Sequence, residues 1–89
     1  MQRMASLEVI GEPIRVCAYF QQGHISPMWF EWKGRRYQVD EIRNRWITNE
    51  GVGKRYHFAV TVDARADLYE LCLRSETMAW HLGRIDVNN

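Results

Sequence analysis

The chain has 89 residues, 46% of them hydrophobic and 26% charged, and a formal net charge of +1. That composition belongs to an ordinary globule and excludes a disordered or low-complexity chain, while the length suits one small domain rather than two. No apolar run approaches the ~20 residues needed to span a bilayer, and Glu8 and Glu12 break the first apolar stretch where a signal peptide would keep it intact. A cytoplasmic protein with no membrane partner is the expectation, and so even a charge balance names no ligand.

Residues 1–12 predict an N-terminal tail, either a short helix or disordered, ahead of a single β domain over 13–89. From residue 14 the pattern is a period of two, the mark of half-buried strands. Ile14, Val16, Ala18 and Phe20 oppose Arg15, Cys17 and Tyr19, and Met28, Phe30 and Trp32 oppose Trp29, Glu31 and Lys33. Gly34 then stands between two alternating runs, where a tight hairpin turn needs a residue tolerant of positive φ. Tyr37 and Val39 continue one face, but Ile42 and Trp46 fall out of phase with Val39, which predicts a β-bulge near Asp40–Glu41. Residues 48–53 are loop-like, with two glycines in six residues.

Tyr56, Phe58, Val60 and Val62 alternate against His57, Ala59 and Thr61 in the clearest strand of the chain. Residues 63–74 fit either a helical stripe through Leu68, Leu71, Cys72 and Ser75 or a strand with Tyr69, Leu71 and Leu73 opposite Glu70, Cys72 and Arg74; the strand is preferred. Met78, Trp80 and Leu82 alternate again, Gly83 breaks the phase, and Ile85 and Val87 resume it. The fold class that follows is all-β: a small five- to six-stranded antiparallel meander, bent or partly closed into a barrel of SH3-like or OB-like size so that bare edges are avoided. Its predicted core is Ile14, Val16, Phe20, Phe30, Trp32, Tyr37, Val39, Phe58, Val60, Leu71, Leu73, Trp80 and Leu82.

Groups for catalysis are sparse. Cys17 and Cys72 lie far apart with no CxxC spacing and read as reduced, largely buried thiols. A zinc site built from Cys17, Cys72 and a histidine lacks the close-spaced ligand pairs that structural zinc prefers. His24, His57 and His81 are isolated in sequence, and the last two fall on the polar faces of their strands, where solvent is expected. No phosphate loop, nucleophile elbow or H-E-x-x-H occurs. Asp40 and Glu41 are adjacent and so point to opposite faces of a regular strand, which leaves them as counter-charges to nearby arginines. No enzyme activity, metal, cofactor or small-molecule ligand is expected.

The distribution of charge says more than its sum. Residues 33–55 hold seven basic and three acidic side chains, the remainder five basic and eight acidic. Trp29, Lys33, Arg35, Arg36, Arg43 and Arg45 form the candidate binding surface. Cations interleaved with aromatic rings can track phosphates and stack on bases of single-stranded DNA or RNA. Trp and Arg are equally the residues of protein interfaces, and arginine stems also cover apolar surface in small domains.

Residues 28–46, MWFEWKGRRYQVDEIRNRW, carry an aromatic-x-Trp-basic-Gly-Arg-Arg-Tyr-x-Val hairpin followed by Arg-Trp. With Tyr56–Val62, Tyr69-Glu70-Leu71 and the Trp80, Leu82, Ile85 segment, this ordered set resembles a family of small bacterial all-β domains of about ninety residues. The resemblance runs from Pro13 onward. It implies no activity and no binding residues, only an association with translesion-polymerase-like proteins. A non-catalytic protein-interaction or accessory module is therefore the leading expectation, and nucleic-acid binding through the basic, aromatic hairpin the alternative.

Overall fold

Every element that the alternation marks is a strand in the computed structural model, which describes residues 5–88. The strands are β1 (Ala5–Pro13), β2 (Arg15–Gln21), β3 (His24–Trp32), β4 (Arg35–Glu50), β5 (Gly53–Val62), β6 (Leu68–Arg74) and β7 (Ala79–Asn88). They form one antiparallel sheet in the order β1-β7-β6-β5-β4-β3-β2. There are seven strands rather than five or six, and the sheet does not close into a barrel. Its two edge strands, β1 and β2, are consecutive in the chain and turn into each other at Ile14, whose N–H donates to the Trp80 carbonyl. No helix is long and apolar enough to cross a membrane.

The extra strand is β1. Residues 5–13, expected within the tail, pair with β7 from Ala5↔Asn88 to Pro13↔His81, with a register shift between Val9 and Glu12. Gly11 sits at that shift with φ +69, a conformation that costs glycine nothing. The bulge splits the strand's short apolar pattern into two phases, which hid it. The first four residues of the expected tail lie outside the described residues.

Two hairpins use the turn chemistry that the right-handed strand twist favours. Gln22-Gly23 and Lys33-Gly34 both take positive φ at both positions, the arrangement of a type I′ turn. In β4 the pairing with β5 shifts between Val39 and Glu41, where the bulge was expected, and again between Ile42 and Asn44. These shifts bend the 16-residue strand so that its first part pairs with β3 and its remainder with β5. The Asp40 carboxylate accepts the Ala64 N–H, which ties the bend to the β5–β6 loop.

Inside the curve lie Ile14, Phe30, Tyr37, Phe58, Val60, Val62, Tyr69, Leu71, Leu82 and Ile85. Phe30 is fully buried, stacked on Tyr37 with ring centroids 4.9 Å apart. Trp32, Trp80, Val16 and Val39 pack half-buried around this centre. Phe20 departs from the expected core: it is 56% exposed, on the edge strand where no further strand covers it. Residues 68–74 are a strand, with Tyr69, Leu71 and Leu73 buried on the core side as alternation requires.

Candidate functional site

The six residues singled out by charge and aromaticity do not converge on one face. Arg35 and Arg36 are neighbours on a strand and diverge. The Arg35 guanidinium lies 4.8 Å from the Tyr37 ring centroid and 3.5 Å from the Asp63 carboxylate. Arg36 covers the Trp29 indole at 3.7 Å and bonds the Glu31 carboxylate at 2.9 Å. Trp29 is accordingly half-buried instead of free. Arg43 pairs with Glu41 at 3.4 Å. Arg45, itself exposed, donates to the Ile25 carbonyl and so braces β4 against β3. Lys33, in the turn, rests 4.9 Å from the Trp32 ring centroid.

Those pairings serve a local purpose. Arg15, Glu31 and Arg36 line up across β2, β3 and β4, with Glu31 bonded by both cations. Such exposed pairs contribute at most about 1 kcal/mol each. Trp29 and Arg36 together roof the outer side of this part of the sheet.

Beside that surface runs the free edge of β2. The strand pairs only with β3, so its other side has no strand partner among the described residues. Cys17 is exposed on it, contrary to the expected burial, and Tyr19 and Phe20 are each 56% exposed. The opposite edge, β1, is differently built. Exposed Glu8 and Glu12, a bulge and Pro13 interrupt it, all features that discourage a further strand from adding. On β2 the sole charge is Arg15, and its only irregularity is the bulge between Cys17 and Ala18.

A second constellation lies on the outer face of β5, β6 and β7, and sequence reasoning missed it. His57 was expected in solvent but is only 8% exposed, because the Trp46 indole stacks flat on its imidazole with ring centroids 4.9 Å apart. Cross-strand register sets His57 opposite Cys72 and Ala59 opposite Glu70. His57 Nδ1 lies 2.9 Å from Glu70 Oε2, and the Cys72 thiol donates to the same oxygen at 3.3 Å. Cys72 Sγ is 3.5 Å from His57 Nδ1. Arg84 Nε bonds the other Glu70 oxygen at 2.8 Å, and Thr48 Oγ1 holds His57 Nε2 at 2.8 Å. His81, also expected in solvent, is half-buried opposite Cys72. Burial first, then Arg55 and Arg74, pull its pKa down.

Chemically the cluster is not a primed nucleophile. Burial and the Glu70 carboxylate push the Cys72 thiol up to about 12, so it stays protonated near neutrality. Its proton goes to glutamate rather than to a histidine base. The three donor atoms are nevertheless close enough to share one metal ion. One signal for the cluster was present in the sequence: a hairpin closed around residues 63–67 sets 57 against 72. The burial of that face depends on Trp46 lying over His57, which alternation alone does not report.

No family model, curated protein or solved structure matches the chain. The molecule is thus defined by its own geometry, as a single-sheet antiparallel β domain with one guarded edge and one open edge.

Proposed function

We propose that this domain is a non-catalytic interaction module that takes an extended segment of a partner protein along the open edge of β2. The contrast between the two edges carries the reading. β1 carries exposed acidic side chains and a proline, whereas β2 carries one charge and no proline and exposes Tyr19 and Phe20 beside its unpaired backbone. Strand addition draws affinity from main-chain hydrogen bonds and selectivity from alternate side chains. Arg36, Trp29 and Arg15 on the adjoining face give an incoming strand a rigid, ion-paired flank. The resemblance to bacterial domains accompanying translesion-polymerase-like proteins agrees with an accessory role. Nucleic-acid binding is the weaker reading, since Arg35, Arg36 and Arg43 already face carboxylates and Arg45 a backbone carbonyl.

Amide chemical-shift mapping tests the choice. Extended apolar peptides selected by display against the domain are expected to shift the Arg15–Gln21 amides, and Tyr19→Lys with Phe20→Lys is expected to abolish binding. Peptides that shift only other strands would refute strand addition at β2. Saturable binding of single-stranded oligonucleotide at about 50 mM salt, weakening steeply by about 200 mM and centred on Lys33–Arg36, would replace it with the nucleic-acid reading.

A further inference from the structure

We propose that His57, Glu70 and Cys72 form a binding site for one zinc-class divalent cation, with Nδ1, Oε2 and Sγ as its protein ligands. The three atoms are separated by 2.9, 3.3 and 3.5 Å. A circle through points so spaced has a radius of about 1.9 Å, so a metal at the usual N, O and S distances of roughly 2.0–2.3 Å sits about 1 Å out of their plane. That is the relation between a tetrahedral ion and one face of its coordination shell, with the fourth position left for water or an exogenous ligand. A donor set of one imidazole, one carboxylate and one thiolate suits Zn²⁺ or Co²⁺ and disfavours Mg²⁺ and Ca²⁺, which take oxygen.

The surroundings match what such a site requires. Metal-bound histidine usually has its second nitrogen fixed by an outer partner, and Thr48 Oγ1 fills that place at Nε2. The carboxylate oxygen that does not face the cluster is held by Arg84. Trp46 lies on the face of the imidazole and so leaves the ring edge that carries Nδ1 free of the indole. Space comes from Gly83. A Cβ at that residue would stand 3.0 Å from Cys72 Sγ and 3.2 Å from Glu70 Oε2, so the missing side chain keeps a notch open against two of the three donors. All three ligands are buried, which shields the coordination from competing water.

Binding exchanges the Sγ–H bond for an Sγ–metal bond and releases the thiol proton to solvent, while the Nδ1 proton that His57 donates to Glu70 gives way to one on Nε2, where Thr48 Oγ1 accepts it. Because the thiol proton is released, apparent affinity strengthens as pH rises. The charged and titratable groups facing the cluster are Arg55 from β5, Arg74 from β6, and His81 and Arg84 from β7.

The test titrates the full chain, freed of metal by chelation, with Co²⁺ and then Zn²⁺. The expected result is one Co²⁺ per chain, with a thiolate-to-cobalt charge-transfer band and tetrahedral visible bands that Zn²⁺ displaces. Cys17→Ser keeps the band and Cys72→Ser loses it. Thr48→Val weakens binding by about 10–100-fold, as outer-shell substitutions do. Absence of the band, its survival in Cys72→Ser or its loss in Cys17→Ser would overturn the proposal, leaving a hydrogen-bonded triad only. Should Cys72→Ser fail to fold by circular dichroism, Gly83→Ala decides, because it keeps every donor. At least a tenfold loss of affinity is expected there, and undiminished affinity refutes the site.

Discussion

Replacing Glu70 by glutamine, with chelator present, tests how the buried cluster contributes to the fold. The carboxylate is 7% exposed and accepts from His57, Cys72 and Arg84 at once. Glutamine preserves the volume, so no cavity forms, but it has one acceptor oxygen and presents donors at the other position. Bonds to a charged acceptor contribute about 1.5–3 kcal/mol and neutral ones about 0.5–1.5, so losing the charge costs about 1 kcal/mol at each of His57 and Cys72. The Arg84 side chain is 50% exposed and can turn to water, so its share, screened by solvent, is below about 1 kcal/mol. The sum is about 2–3 kcal/mol. Urea unfolding of so small a domain has a slope of about 1–2 kcal/mol per molar, which lowers the midpoint by about 1–3 M. Arg84→Gln is expected to cost only the smaller share. A Glu70→Gln midpoint within about 0.3 M of wild type, or an Arg84→Gln loss as large as that of Glu70→Gln, would refute this account of the cluster.

Three further outcomes follow from the same geometry. Since the Cys72 pKa is raised from 9.0 to about 12, the folded state holds a proton that the unfolded chain releases, so stability is intact below about pH 9 and falls towards pH 12. The loss is up to about 4 kcal/mol, Tyr69 adds in the same direction because burial raises its pKa too, and Cys72→Ser should flatten the alkaline limb of a denaturation series. Iodoacetamide should alkylate exposed Cys17 in the native protein and Cys72 only in urea, as mass spectrometry of timed samples can show. Gly34→Ala, at φ +75, should cost about 1 kcal/mol and lower the melting temperature by several degrees, whereas Gly53→Ala meets only the mobile end of Glu76 and should cost less.

What the sequence made legible is what a period of two can encode. The strands around Phe30, Tyr37, Phe58, Val60 and Leu71 were readable because one face is apolar throughout, and Gly34 marked its turn. The bulge near Asp40 announced itself by a slip of phase. β1 was hidden for the same reason, since its own bulge at Gly11 divides a pattern already broken by Glu8 and Glu12. At the candidate sites the failures concern position across strands. Alternation put His57 and Cys72 on polar faces of their strands, but not that a tryptophan from β4 would cover one of them. The arginines formed a cluster along the chain, yet Arg35 and Arg36 face opposite ways and Arg45, beyond two bulges in β4, bonds a backbone carbonyl of β3. Openness of β2 depends on sheet order, which no local pattern contains.

That order also dictates how the molecule comes apart. Five of the six ladders join strands adjacent in sequence and can zip from their turns, while the β1–β7 ladder alone joins segments more than sixty residues apart. Its formation closes the longest loop and so carries the largest chain-entropy cost. The hairpins from β2 to β7 therefore form a cooperative unit onto which β1 docks late. In native-state hydrogen exchange, β1 amides should open at a lower free energy than those of β5 and β6, with Ile14 as the pivot about which the strand leaves.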